Sequence, residues 1–161
     1  MEIREATPDD WAAIFPIFRA VVDAGKTYTY PAGLSSDEAR SLWIAQAPWR
    51  TFVAVEHGTI VGTAKMGPNH LGRGSHVATA SFMVGPEFQG RGAGLALATA
   101  VLEHARQDGY RGMQFNAVVE TNESAVRLWQ ALGFRILTTV PGAFKHPDDG
   151  FVGLHVMFIE L

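Results

Sequence analysis

Apolar residues recur along the chain with two different periods, which predict a mixture of strands and helices. A period of two predicts strands, and a period of about 3.6 predicts helices with one buried face. The predicted order of elements is β-α-α-β-β-β-α-β-α-β-β. The predicted strands are residues 2–6, 51–56, 59–66, 76–84, 113–119, 134–140 and 151–160. The predicted helices begin after Thr7, Ser35, Gly94 and Asn122.

Local start and turn signals support several of these boundaries. Thr7 followed by Pro8 is typical of a helix start, because proline fits the first helical position. Residues 35–38 form a capping box for the second helix. His57 and Gly58 separate two strand-like runs, so residues 51–66 are predicted to form a β-hairpin.

Two stretches rich in proline and glycine are predicted to be loops. One covers residues 67–75 and precedes the central strand. The other joins the last two strands and contains Pro141, Gly142, Pro147 and Gly150. The central strand is predicted to have Ala78, Ala80, Phe82 and Val84 on one face and Thr79, Ser81 and Met83 on the other. The apolar face of the next helix is predicted to contain Leu95, Ala98, Val101, Leu102 and Ala105.

Between the central strand and this helix, the chain turns through Gly90, Gly92 and Gly94. Glycine costs about 1 kcal/mol relative to alanine in a helix, so three glycines in a first turn oppose local stability. Without Cβ atoms, however, the main-chain N–H groups can approach a phosphate, and the helix dipole adds attraction. The turn therefore predicts an anion site; the alternative is a flexible surface turn.

Two common nucleotide-binding motifs do not fit this turn. The dinucleotide fingerprint requires a glycine at the sixth position counted from Gly90, where Leu95 stands. A P-loop requires a glycine ahead of Gly-Lys-Thr, but Ala20 stands at that position before residues 25–27. The phosphate-bearing ligand is therefore expected to belong to another class.

Two motifs together resemble one family. Residues 89–94 resemble the Gln/Arg-x-x-Gly-x-Gly/Ala signature of the GCN5-related N-acetyltransferase (GNAT) superfamily. Residues 122–134 resemble its Asn-x-x-Ala-x-x-Leu-Tyr-x-x-x-Gly-Phe element; taken alone, they also fit a well-capped packing helix. The resemblance implies an α/β (α+β) fold over residues 1–161 as one domain, with about seven strands in a mixed sheet and about four helices. Strands 76–84 and 113–119 are expected to splay apart and admit the pantetheine arm of acetyl-CoA.

The resemblance also implies which residues bind acetyl-CoA. The diphosphate is expected at the glycine turn, and the pantetheine is expected along the central strand. The implied binding residues are Phe82, Met83, Val84, Gln89, Gly90, Arg91, Gly92, Ala93, Gly94, Asn122, Ser124, Arg127 and Trp129. The main-chain N–H of Val84 is expected to donate to the thioester carbonyl oxygen.

Acyl transfer to an amine requires a neutral amine, a donor to the developing oxyanion and a thiolate that can leave. Trp129 stands where many relatives have a tyrosine that protonates the thiolate, and an indole does not titrate usefully. Candidates for accepting the amine proton are His76, Glu120 and a water held by main-chain carbonyls. Asn116, expected to be a buried polar residue, is a candidate for holding such a water or the acceptor.

Residues 26–33 lie between the first two helices, a region that often covers the acceptor site in the superfamily. Tyr28 and Tyr30 are two positions apart, so an extended segment would place both side chains on the same side. They are candidate substrate-binding residues, and the alternative is that they pack within the loop. Either hydroxyl is also a candidate for reaching the leaving thiolate.

Composition narrows the choice of partners. The net charge is -3 with both signs interspersed, so the chain lacks the basic stripe that nucleic acid or an anionic membrane requires. Without cysteine there is no disulfide or thiolate zinc site, and the six histidines show no metal-binding spacing. The first residues contain no apolar run, and Leu95–Leu102 is too short to span a membrane. We expect no metal, no signal peptide and a cytoplasmic location.

The favoured hypothesis is an acetyl-CoA-dependent N-acetyltransferase. It acetylates the primary amine of an amino acid or amino-acid-like compound by direct attack in a ternary complex. Two alternatives stay open: acetylation of a protein N-terminus or lysine, and a CoA-binding sensor without turnover, which Trp129 favours. A homodimer is expected from the resemblance alone.

Overall fold

A mixed sheet of seven strands runs through the whole molecule. The structure is a computed structural model that describes all residues from Met1 to Leu161. The strands are β1 (Glu2–Glu5), β2 (Arg50–Glu56), β3 (Thr59–Pro68), β4 (Val77–Val84), β5 (Gly112–Val119), β6 (Arg135–His146) and β7 (Gly150–Glu160). The helices are α1 (Trp11–Asp23), α2 (Ser36–Trp43), α3 (Ala93–Gln107) and α4 (Glu123–Ala131). The order in the sheet is β1-β2-β3-β4-β5-β7-β6, and the fold predicted from the sequence is confirmed.

Helix α2 begins where its capping box predicts, whereas α1 begins at Trp11, three residues after the predicted start at Pro8. At α2, Ser35 Oγ accepts from the N–H of Glu38 at 3.3 Å, while the Glu38 carboxylate accepts from the N–H of Ser35 at 2.8 Å. Before α1, the chain makes one 3-10 turn that ends at Asp10. Hydrogen bonds from Arg4 at 2.7 and 2.9 Å hold the pKa of the Asp10 carboxyl well below its ordinary value. No helix is long and apolar enough to cross a bilayer.

The two faces of the sheet support separate hydrophobic cores. One core lies under α3 and α4, and the other lies under α1 and α2. β4 contributes to both, because Ala78 packs in the first core and Met83 in the second, as the predicted alternation requires. In α3, however, the prediction for Leu95 is wrong: it is 50% exposed, whereas Leu97 is fully buried. The other four residues predicted for this face are buried: Ala98, Val101, Leu102 and Ala105. The helix begins two residues before Leu95.

β4 and β5 are neighbours that pair over only a short distance. They are parallel, and their pairing is restricted to Val77 with Gly112 and Ala78 with Met113. Beyond this point the two strands separate, while β4 remains paired with β3 and β5 with β7. The predicted splay is therefore confirmed, and it opens a gap through the centre of the sheet.

The predicted loop between the last two strands is wrong for most of its length. β6 continues to His146, and only residues 147–149 form the turn into β7. The register of β6 on β7 shifts between Val140 and Phe144, so Pro141 and Gly142 lie in an irregular part of the ladder. β6 is the edge of the sheet, where a proline without an N–H donor is tolerated.

Candidate active site

A cavity of about 740 Å³ occupies the gap between β4 and β5. Its lining falls into two parts. The glycine end comprises the turn from Gln89 to Gly94 and the start of α4 at Asn122 and Ser124. The tyrosine end comprises the segment from Thr27 to Tyr30 and Asn116 of β5. Between the two ends, β4 contributes its main chain and the side chains of residues 79–84.

At the glycine end, two glycines adopt a backbone conformation that other residues rarely adopt. Gly90 has φ +77° and Gly92 has φ +86°, and an added Cβ at either position would meet no atom within 4 Å. Both precede α3, so only Gly94 lies in its first turn, rather than all three glycines as the sequence suggested. The glycine pattern therefore predicted the position of the turn. Gly90 and Gly92 allow the left-handed backbone of the turn, and Gly94 belongs to the helix.

The first turn of α3 presents free main-chain donors. Its first helical hydrogen bond runs from the N–H of Ala96 to the carbonyl of Gly92 at 3.0 Å. The N–H groups of Ala93, Gly94 and Leu95 therefore have no acceptor within the helix. The space around the glycines leaves these donors open to the cavity, and the positive end of the helix dipole is nearby. The glycine end fits a diphosphate.

Two arginines predicted to reach the phosphates do not line the cavity. Arg91 is 56% exposed, lies over the ring of Phe88 and has its guanidinium 3.7 Å from the Glu56 carboxylate. Arg127 is 70% exposed and pairs with Glu123 of its own helix at 3.1 Å. Anion binding at the glycine end therefore depends on main-chain groups, because neither guanidinium faces it.

Trp129 lies deep in the wall of the cavity. Its side chain is 7% exposed, and its ring centroid lies 4.9 Å from Phe82 and 4.8 Å from Phe115. This packing on β4 and β5 places the indole beside the gap. At the position where the resemblance leads us to expect a proton-donating tyrosine, the chain thus has a ring that forms part of the hydrophobic core.

Two of the candidate bases are not brought into the cavity. His76 is exposed and precedes β4, at the end of the strand opposite Val84, and strand geometry separates the two by roughly 25 Å. Its carbonyl accepts from the N–H of Arg111 at 2.9 Å. Glu120 is exposed, and its carboxylate accepts a hydrogen bond from the N–H of Gly153. Neither side chain lines the cavity, and the Glu120 carboxylate is hydrogen-bonded to the main chain of β7.

Asn116 lines the cavity, but the expectation that it is buried is wrong. It is exposed because β5 shifts register between Phe115 and Val118, and Asn116 lies in this irregular stretch. Its amide nitrogen donates to Asn69 Oδ1 at 2.7 Å, and its Oδ1 accepts from Gln114 at 2.9 Å. The side chain is therefore held at the tyrosine end by neighbouring amides.

Val84 has a main-chain N–H that points into the gap. Its partner on β3 is Gly62, and the adjacent hydrogen bond runs from the N–H of Gly85 to the carbonyl of Val61 at 2.9 Å. In an antiparallel ladder, this pattern makes Val84 and Gly62 a non-hydrogen-bonded pair. The Val84 N–H therefore points away from β3, on the side where β5 is absent, and is positioned as a donor to a carbonyl oxygen.

Tyr28 makes a contact that the sequence did not predict. Its hydroxyl accepts from the N–H of Phe82 at 2.8 Å and donates to the carbonyl of the same residue at 2.6 Å. The ring stacks on Tyr30 with centroids 5.7 Å apart, so the two tyrosines share a side as predicted. Burial raises the pKa of the Tyr28 phenol above its ordinary value. The phenol is thus a neutral hydrogen-bonding group at physiological pH.

The residues that line the cavity carry no charged side chains. Among the lining residues there is no aspartate, glutamate, histidine, lysine or arginine. Outside the lining, Lys65 Nζ lies 5.6 Å from the centroid of the Tyr30 ring, and Lys26 and Asp148 form an ion pair at 3.1 Å. This pair joins the segment before Tyr28 to the turn between β6 and β7. The site therefore binds and orients through main-chain and neutral polar groups.

A split sheet beside a glycine-rich helix start fits an extended ligand that carries a diphosphate. A family model described as "Acetyltransferase (GNAT) family" matches residues 15–134. The chain belongs to this acetyltransferase (GNAT) family, whose members are acetyl-CoA-dependent N-acetyltransferases. The resemblance found in the two sequence motifs is confirmed.

Three similar proteins agree with this assignment. A GCN5-related N-acetyltransferase from Kribbella flavida is 52% identical, with a TM-score of 0.97 over 99% of this chain and 97% of that one. N-acetyltransferase aca1 from Schizosaccharomyces pombe is 33% identical over 127 residues, 78% of this chain and 57% of aca1. The L-amino acid N-acyltransferase MnaT from Escherichia coli is 28% identical over 88% of this chain and 83% of MnaT. The chain thus spans little more than half the length of aca1.

Proposed function

We propose that this protein transfers the acetyl group of acetyl-CoA to the primary amine of a small molecule, an amino acid or an amino-acid-like compound. The observation that carries the proposal is the unpaired edge of β4, which leads from Val84 directly to the free N–H groups of the glycine end. A ligand with a thioester at one end, an extended arm and a diphosphate at the other end can lie along this edge, with the thioester at Val84 and the diphosphate at the glycine end. The family assignment supports the same co-substrate.

The reaction is a direct attack within a ternary complex. The amine nitrogen forms a bond to the acetyl carbon, the carbon–sulfur bond breaks, and its electron pair leaves on the sulfur of CoA. The Val84 N–H donates to the carbonyl oxygen as negative charge develops there. A thiol with a pKa of about 8.5 leaves without full protonation, so Trp129 in place of a tyrosine is compatible with turnover.

Removal of the amine proton does not depend on a charged side chain. The cavity lining contains no carboxylate or imidazole, so the proton leaves through water to the solvent. An α-amine with a pKa of about 7.7–8.0 is already partly neutral at pH 7, whereas a lysine-like amine needs roughly 4 kcal/mol of help. The uncharged site therefore favours α-amines.

A small acceptor is supported by the construction of the tyrosine end. The Lys26–Asp148 ion pair joins the segment before Tyr28 to the turn between β6 and β7, and Tyr28 and Tyr30 line the cavity. Asn116 and its partner Asn69 supply amide groups that suit a carboxylate or another polar group beside the amine. The likeness to an L-amino acid N-acyltransferase points to the same class of acceptor.

The proposal is tested by incubating the protein with acetyl-CoA and a panel of amines while the release of free thiol is followed. We expect release with one or more amino acids and with none of a library of acceptor peptides. Release with peptides alone would favour protein acetylation instead. Tight CoA binding without release across all amines would favour a sensor.

Two further expectations belong to the same proposal. A homodimer and a cytoplasmic location are both typical of small enzymes of this kind. Light scattering of the purified protein tests the first, and a doubled mass is expected. Fractionation of the source cells tests the second, and the protein is expected with the soluble fraction.

A further inference from the structure

An ammonium group lies in a box of three aromatic rings beside the tyrosine end. Lys65 Nζ is 5.6 Å from the centroid of the Tyr30 ring and 5.5 Å from the centroids of Trp43 and Trp49. It also donates to the carbonyl of Leu42 at 2.7 Å. This carbonyl belongs to the last turn of α2, where the helix dipole favours a positive charge. The aromatic box therefore holds the ammonium in one place.

The third ring of the box depends on a glycine in β3. Gly67 lies two residues after Lys65, so both residues face the same side of the strand. A Cβ added at Gly67 would overlap with the ring of Trp49. The absence of a side chain at Gly67 thus lets the indole lie against the strand, next to the ammonium.

The aromatic box holds the ammonium without neutralising its charge. Lys65 takes part in none of the ion pairs of the structure. Aromatic rings attract a cation through their quadrupole and a carbonyl attracts it through its dipole, so the full positive charge remains. Because the side chain is half-buried, solvent screens only part of the field of this charge.

Lys65 lies directly behind the wall of the cavity. Its partner on β4 is Ser81, which lines the cavity, and directly paired residues face the same side of a sheet. The Tyr30 ring, over which the ammonium lies, also lines the cavity. An acceptor at the tyrosine end is therefore exposed to the field of an unpaired cation, although no charged side chain lines the cavity.

We infer that Lys65 selects the acceptor by charge. The site prefers an amine that carries a carboxylate to the same amine with a neutral or a positively charged group in that place. Because Lys65 acts on the acceptor of the transfer reaction, this inference rests on the proposed function. It adds the residue that selects the carboxylate and the class of amines that is disfavoured.

The size of this preference follows from Coulomb's law. Two unit charges about 10 Å apart, at an effective dielectric constant of about 20, change an equilibrium on the order of 10-fold. Solvent beside the half-buried lysine weakens the interaction, so we expect a contribution of about 3- to 10-fold. Added salt should reduce the contribution further, because mobile ions screen it.

The test compares kcat/KM for three amines that differ in the charge of one group. They are an α-amino acid, its carboxamide, and its analogue with a trimethylammonium group in place of the carboxylate. Lys65→Met removes the ammonium and keeps an apolar chain that can fill the aromatic box. We expect kcat/KM to fall by about 3- to 10-fold for the amino acid, to stay within about 2-fold for the carboxamide and to rise for the trimethylammonium analogue. Lys65→Arg keeps the charge and should keep the preference.

Lys145→Met is the matched control. It removes the same charge from an exposed lysine of β6, four strands from β3 in the sheet. Strand spacing makes this separation roughly 19 Å or more, which exceeds the Debye length of about 8 Å at physiological salt. All three values of kcat/KM should match those of the unaltered protein.

A second measurement does not depend on turnover. The N-acetylated products of the amino acid and of its carboxamide are titrated into the CoA-loaded protein by calorimetry. Lys65→Met should weaken the binding of the product with the carboxylate and leave the binding of the other unchanged.

Equal changes for all three amines in Lys65→Met would overturn the inference, because a lysine that only packs affects every acceptor alike. Loss of the preference in Lys65→Arg would also overturn it. If the unaltered protein releases thiol with none of the three amines or with any other amine, the proposed function itself fails, and the inference fails with it. Thiol release without a charge preference would remove the inference alone.

Discussion

The two ends of the cavity are built in different ways. The free main-chain N–H groups of the glycine end all come from one turn and the helix start that follows it, and no charged side chain lines this end. The tyrosine end brings together Tyr28 and Asn116 from separate parts of the chain; hydrogen bonds hold Tyr28 to the main chain of Phe82 and Asn116 to the side chain of Asn69. The first construction suits a co-substrate shared by a whole family, and the second suits an acceptor that differs between relatives.

The largest effect is expected from Gly94→Trp at the glycine end. Gly94 has an ordinary helical conformation, and a Cβ there would lie 3.7 Å from Leu128, so a large side chain fills the cavity without straining the backbone. We expect acetyl-CoA to bind about 100-fold more weakly or worse, measured by calorimetry. A substitution at Gly92 would not separate loss of binding from backbone strain, because the φ of +86° at this position would strain any other residue.

Thr99→Trp is the control for this substitution, since Thr99 is exposed one turn further along α3. It should leave the affinity for acetyl-CoA unchanged. Equal affinities of Gly94→Trp and the unaltered protein, with the fold intact by circular dichroism, would remove the glycine end from the binding site.

At the tyrosine end, Asn116→Ala is expected to act on the acceptor alone. The substitution removes an amide that faces the cavity and leaves Asn69 without its partner. We expect kcat/KM for the amine to fall by about 10- to 50-fold, the cost of one or two polar contacts. The dissociation constant of acetyl-CoA, measured on the same variant, should stay within about 2-fold. Similar losses for both ligands would show that the two ends are not independent.

The pH dependence of kcat/KM distinguishes an uncharged tyrosine end from one that holds a hidden base. Burial raises the pKa of Tyr28, so its phenol stays protonated below pH 10, and the lining contains no carboxylate, imidazole, ammonium or guanidinium group. The rate should therefore rise with pH through the pKa of the acceptor amine itself. With two acceptors whose amine pKa values differ, we expect the midpoints to differ by the same amount. A midpoint common to both acceptors would indicate a titrating group on the protein.

The smallest effect is expected from Arg91→Ala and Arg127→Ala. Both guanidinium groups are turned to acidic side chains outside the cavity. Each substitution should change the affinity for acetyl-CoA by less than about 3-fold, because exposed ion pairs contribute little. A loss of about 30-fold or more, measured by calorimetry at low salt, would mean that arginines rather than main-chain groups hold the phosphates.

Features built from neighbouring residues, as at the glycine end, could be predicted from the sequence. The glycine turn, the capping box at Ser35 and the cap at Asn122 depend on neighbouring residues, and all three occur where predicted. The splay of β4 from β5 followed from the family resemblance. These features are local or shared by the family, so a single sequence contains enough information to find them.

The failures concern relations between distant residues. The Tyr28 hydroxyl and Phe82 are 54 positions apart, and only the folded sheet brings them together. His76 was chosen by residue type, and only the direction of β4 shows that it precedes the strand, at the end away from Val84. Pro141 suggested a loop because its tolerance within a strand depends on β6 being the sheet edge, which no local pattern indicates.

A crystal structure of the protein with acetyl-CoA tests the central claim most directly. We expect diphosphate oxygens within hydrogen-bonding distance of the main-chain N–H groups of Ala93 and Gly94, and the thioester carbonyl oxygen within the same reach of the Val84 N–H. A diphosphate held by Arg91 or Arg127, or a carrier bound outside the gap between β4 and β5, would contradict the account.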